Sequence, residues 1–222
     1  MFNLIYKDIF INKKSTANLL FSLMLNIVAI IVFNYFIGSY VYIAIPCIFA
    51  ITLILSCCGA GEKNDVDILF NSLPTSRREL VLSKYLSTFI FFLAGSMLTA
   101  IVILGKSLLG YGEIKYFVDF ISISISLVFT SIYISLYFPI YFYFGYLKSQ
   151  AVSKFISFIV FIGIIVAIMI RIIIKQGMEN KVLNKLSGIM NFRVIIISIV
   201  FSILITMVSS IISLRIYSNR EL

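Results

Sequence analysis

The sequence predicts an all-α membrane protein, with six transmembrane helices behind an N-terminal helix that lies in the membrane interface. Composition gives the first reason: 61% of the 222 residues are hydrophobic and only 12% are charged. A soluble domain of this size could not cover its surface with so few charges. Lipid must therefore be the solvent, and there only helical bundles and closed barrels satisfy the backbone. The second reason is pattern. Barrel strands alternate apolar and polar residues over about ten positions, whereas this chain carries continuous apolar runs long enough for spanning helices.

Residues 1–15 form an amphipathic segment. Phe2, Ile5, Ile9 and Phe10 would face lipid, with Lys7, Lys13 and Lys14 toward phosphate. The two lysines follow the apolar residues instead of preceding them, and no Ala-x-Ala site ends the next run, so a cleavable signal peptide is not expected. A spanning helix needs about 20 apolar residues. The runs that meet this need are about 16–37, 41–58, 85–104, 117–143, 153–170 and 194–216, in one transmembrane domain over 1–222. Gly38-Ser39-Tyr40 makes a tight turn after the first, and Pro139 is expected to bend the end of the fourth. A polar connection from Arg171 to Arg193 separates the fifth and sixth; a solvated loop is its default reading, an element binding acidic cargo or lipid its alternative.

Orientation follows from lysine and arginine near the span ends. With the N-terminus inside, eleven cations fall on inner segments and seven on outer ones. Both termini are thus expected in the cytoplasm of a multi-pass protein of the cell membrane. The five cations of the 171–193 connection run against that count; the early segments decide, because the first span usually dominates.

Several chemistries are poorly served by these residues. Histidine is absent, and Cys47, Cys57 and Cys58 sit in or beside one apolar run without metal-ligand spacing. No charge falls in the middle of a proposed span, which weakens a proton- or ion-coupled transporter. An intramembrane enzyme would need paired carboxylates or an activated serine within the spans, and the candidates are lacking.

The most informative stretch is a charged island from Cys58 to Lys84. Ser76-Arg77-Arg78-Glu79 has the form of a capping box, and Pro74 keeps an earlier helix from running through, so a helix is expected to start at about Arg77 and continue into the third span. Two cations on its first turn oppose the helix dipole. Acidic Glu62, Asp65 and Asp67 do little for topology. Together they point to contact with a soluble partner, against the plainer reading of lipid headgroup contacts alone.

Leu73-Pro-Thr-Ser-Arg-Arg-Glu-Leu-Val-Leu-Ser-Lys84, preceded by acidic residues and followed by a span, resembles the cytosolic loop of ABC-2 type transporter permeases. In particular it is similar to small bacterial six-span permeases that pair with a separately encoded ATP-binding subunit. The layout of the whole chain agrees with that resemblance. It implies a cytosolic coupling helix between spans two and three, with Asp67, Leu73, Pro74, Arg77, Arg78 and Glu79 docking on the ATP-binding subunit. It makes Lys7, Lys13 and Lys14 part of an elbow helix. It implies a second permease copy, identical or related, and an exporter of hydrophobic or amphipathic cargo, peptides of the antimicrobial or cytolytic kind among them. The chain has no Gly-x-x-x-x-Gly-Lys-Ser/Thr loop. ATP and Mg are therefore expected on the partner subunit, with no cofactor and no metal site here and no enzymatic activity of its own. Membrane lipids are further partners; nucleic acid is not expected. The alternative is a non-transporting structural or sensor subunit of a membrane complex.

Two further patterns have competing readings. Ser198, Ser202, Thr206, Ser209 and Ser213 recur on one face of the sixth span, and Ser22 and Asn26 lie on the first. Small hydroxyl residues let helices approach and hydrogen-bond; alternatively Asn26, Ser198, Ser202, Thr206 and Ser209 line an uncharged transport path. Tyr133, Tyr137, Phe138, Tyr141, Phe142, Tyr143, Phe144 and Tyr146 are expected to form an interface belt, or less readily to grip cargo from the face shared by Tyr133, Tyr137 and Tyr141.

Overall fold

The computed structural model describes residues 24, 26–28, 30–31, 41–63, 77–108, 119–177 and 181–218. Within them lie five helices: α1 (Val41–Lys63), α2 (Arg77–Leu108), α3 (Phe120–Phe144), α4 (Tyr146–Gly177) and α5 (Lys181–Ser218). All five are long and apolar enough to cross a membrane. They correspond to the second through sixth runs of the sequence. Of the first run only a few residues are described, and these are helical. The interfacial segment 1–15 and the island from residue 64 to 76 lie outside the described residues.

Most of the helices extend well past their apolar runs. α2 begins at Arg77, as the capping box predicts, so Lys84 lies on the helix and is buried instead of facing headgroups. The 171–193 connection is not a loop: α4 continues through Arg171 to Gly177 and α5 starts at Lys181. The stretch contains no proline, and charges that end a membrane span do not end a helix. At 1.5 Å per residue the 38 residues of α5 reach about 57 Å, against about 30 Å of hydrocarbon.

Of the described helices α3 is the centre of the bundle, touching all four others, most extensively α5. Asp119 caps its start: the carboxylate accepts from the Ile121 and Ser122 amides at 3.2 and 3.4 Å and from the Ser122 hydroxyl at 2.6 Å. Such a cap is worth about 1 kcal/mol. A single residue, Gly145, separates α3 from α4. Its φ of 80° suits glycine, and its amide donates to the Tyr141 carbonyl at 2.9 Å. The chain thus reverses at once, and α4 begins seven residues before the expected Ser153.

Central placement also explains the aromatics. Tyr133, Tyr137, Phe138 and Phe142 are buried, while Tyr143 and Phe144 at the helix end are exposed. The first four are core residues, not an interface belt, because neighbours cover α3 on several sides; only the last two suit a belt. Tyr133, Tyr137 and Tyr141 stack in a row, with centroids 5.7 and 5.9 Å apart.

Glycines set how closely the helices approach. A Cβ on Gly95 of α2 would come within 2.9 Å of the Phe49 ring of α1. One on Gly163 of α4 would come within 2.8 Å of Phe129 of α3, and one on Gly59 of α1 within 2.7 Å of the Tyr146 hydroxyl. At each seat an aromatic ring occupies the place of a missing side chain. Gly105, by contrast, has nothing within 4 Å. Gly95→Leu should therefore destabilise the fold by about 1–3 kcal/mol through overpacking, while Gly105→Leu should be neutral. Thermal unfolding in one detergent checks this, and equal midpoints for the two variants would refute the seat.

Candidate functional site

A buried polar relay joins three helices near the island end of the bundle. It begins with a backbone defect. Pro139 lies inside α3 and has no amide proton, so the Ser135 carbonyl, four residues earlier, lacks its helical donor. In lipid a carbonyl without a partner is costly. Ser209 of α5 supplies the donor: its hydroxyl lies 2.9 Å from the Ser135 carbonyl oxygen. The single proton of Ser209 is thereby committed, so Tyr85 of α2, at 2.6 Å, must donate to the Ser209 oxygen. Ser213, at 2.9 Å, then donates to Tyr85. The order Ser213, Tyr85, Ser209, Ser135 carbonyl is a directed chain from α5 through α2, back to α5 and on to α3. The Tyr85 ring packs edge-on against Phe138 at 4.7 Å, which fixes its hydroxyl in the seam.

This relay lies on the helix that rises from the island. Tyr85 is eight residues, about two turns, beyond Arg77 on an unbroken α2. Arg78 is exposed and Glu79 half-buried on the first turn, and Leu80 and Val81 already enter the core. Arg77 begins the helix. Asp67, Leu73 and Pro74 lie outside the described residues, as do Lys7, Lys13 and Lys14.

The hydroxyl stripe of α5 faces the bundle. Ser198, Ser202, Thr206, Ser209 and Ser213 are all buried, and so is Asn26. Ser198 and Ser202 donate to carbonyls of their own helix at 2.8 Å, as does Thr206 at 2.9 Å. Ser209 reaches across to α3. Thus the stripe occupies the seam where α5 packs on α3 and α2. The sequence held the signals for the relay, namely a proline, the stripe and a tyrosine. What it lacked was the register that puts Ser209 opposite Ser135. Among the described residues no group of three or more potential ligands could hold a metal ion.

The long apolar helices, the central proline-bearing helix and the charged entry to α2 define a multi-pass helical membrane protein. Residues 3–218 match the sequence model of the ABC-2 family transporter proteins. The chain belongs to that family, whose members are membrane components of ABC transporters and typically lack an ATPase domain. It matches no curated protein and no solved structure.

The relay predicts a thermodynamic cycle. Ser209→Ala should cost about 1–3 kcal/mol, because it leaves the Ser135 carbonyl without a donor. In a Pro139→Ala background, where the helical amide returns, the same change should cost far less. Thermal unfolding of the four proteins tests this; an equal cost of Ser209→Ala in both backgrounds would mean that the proline does not create the need.

Proposed function

We propose that the chain is the transmembrane half of an ATP-driven exporter whose ATP-binding subunit is a separate polypeptide. Asp67, Leu73, Pro74, Arg77, Arg78 and Glu79 form the docking region, and ATP with Mg is held on the partner. Lys7, Lys13 and Lys14 lie along the inner headgroups, both termini are cytoplasmic, and a second permease copy, identical or related, completes the pathway. Cargo is hydrophobic or amphipathic, with membrane-active peptides one class the resemblance suggests. The spans argue against a small cation as cargo, since no aspartate or glutamate falls between residues 41 and 60, 81 and 105, 120 and 144, or 146 and 170.

The observation that carries this reading is the continuity of α2. A helix that starts at Arg77 and remains unbroken to Leu108 transmits displacement as a rigid rod. The relay through Tyr85 fastens that rod to α5 at two serines. Movement of a subunit docked below Arg77 would therefore reach α5 as well as α2. Replacing Arg77 and Arg78 by glutamate should weaken association with the ATP-binding subunit about tenfold or more, a change equivalent to about 1.4 kcal/mol. Membrane insertion should remain normal. Unchanged co-purification and unchanged ATP turnover in that variant would sink the docking assignment.

The buried stripe would contact cargo only if α5 separates from α3 during the cycle. Leucine at both Ser202 and Thr206 distinguishes two roles. Packing predicts lost thermal stability with turnover coupling retained in whatever fraction remains folded. A path of Asn26, Ser198, Ser202, Thr206 and Ser209 predicts a stable complex that hydrolyses ATP and no longer moves cargo. Transport and unfolding measured on one reconstituted sample separate the two.

A further inference from the structure

We propose that the groove between α1 and α4 holds one acyl chain of an anionic phospholipid, with its headgroup on Lys154. The groove has a volume of ≈ 520 Å³ and is walled by Ile51 and Leu55 of α1 and by Phe158, Phe161 and Ile164 of α4. Its hydroxyls do not advertise polarity. Thr52 donates to the Phe49 carbonyl, Ser153 to Gln150 and Ser157 to Ser153, each within its own helix. The surface left to an occupant is apolar. From Lys154 to Ile164 is ten residues of α4, about 15 Å, so the groove offers an acyl chain a continuous apolar wall over about half the hydrocarbon thickness.

Lys154 lies at the end of the groove nearer Gly145 and is exposed. It stands two turns into the span that opens at Tyr146, a costly place for a cation. Among the described residues no counter-charge flanks it: the neighbouring helices have no carboxylate between residues 41 and 60, 120 and 144, or 146 and 177. Glu62 lies beyond the level at which Gly59 of α1 meets Tyr146, about two turns from Lys154. A lysine so placed extends along the apolar wall toward the interface, and the nearest anion there is a lipid phosphate. Behind the groove, the buried Tyr133 hydroxyl lies beside Ser153 and Ser157. The charge and the apolar groove together select an acidic, chain-bearing ligand, and one already abundant in the membrane.

The chain contains no tryptophan, so a single introduced one reports locally. Phe158 lines the groove and is 64% exposed; its neighbour Ile159 is 67% exposed and does not line it. The two positions differ in depth by about 1.5 Å and meet bulk lipid equally. The full chain carrying Phe158→Trp or Ile159→Trp is reconstituted in phosphatidylcholine vesicles with a minor fraction of chain-brominated phosphatidylglycerol or, separately, brominated phosphatidylcholine. Quenching at residue 158 should show a roughly fivefold preference for the phosphatidylglycerol, the factor that about 1 kcal/mol per lysine gives. Residue 159 should show none. Lys154→Gln should abolish the preference and Lys154→Arg retain it. Lipid carried through purification by the unmodified chain should likewise be enriched in acidic species. Equal quenching by both lipids at residue 158, or a preference that survives Lys154→Gln, overturns the proposal. Absence of quenching by either lipid, with residue 159 quenched normally, overturns it too, because a second protein copy then covers the groove.

Discussion

One missing amide organises the bundle. Pro139 removes a hydrogen bond from the last third of α3, within the span, and the Ser135 carbonyl must find a donor on another helix. Ser209 is that donor, so α5 must lie against α3 in one register, and Tyr85 then holds α2 against α5. Lipid gives apolar helices no hydrophobic reason to associate. The specific contacts have to come from groups such as these, and the most extensive helix pair in the molecule is the one the proline requires.

The glycine seats serve the same need by another means. Phe49 on Gly95, Phe129 on Gly163 and Tyr146 on Gly59 draw α2, α4 and α1 close enough for dispersion to act over the whole contact. None of the seats lies at the α3–α5 seam, where hydroxyls do the work instead. The bundle thus has two kinds of joint. The ring-on-glycine joints are steric and resist closer approach. The hydroxyl joint is short-range and directional, so modest displacement of α5 breaks it and leaves the rings seated.

How much of this could be read from the sequence depends on which interaction decides it. The spanning helices were legible because apolar run length alone decides them, and the start at Arg77 because the capping residues are local. The helical course of residues 181–193 was not, since charge marks the end of a membrane span and says little about the end of a helix. The burial of Tyr133 and Tyr137 was also missed. An aromatic row near a span end looks the same whether it meets headgroups or three neighbouring helices, and only the central position of α3 decides. The proline and the serine stripe were both visible; their pairing is tertiary, 74 residues apart in sequence.

That pairing bears on how an ABC-2 membrane component could change state. A carbonyl freed by proline has a fixed cost when it loses its donor, about 1–3 kcal/mol, comparable with typical coupling energies between sites. Losing that one bond would therefore cost far less than unfolding the bundle. Tyr85 lies about two turns beyond Arg77 on the same unbroken helix, so any displacement of that end of α2 would bear on the seam. A permanent packing seam would be served better by leucine, which needs no partner in lipid. Hydroxyls opposite a proline make sense where a joint must be specific when closed and separable at small cost.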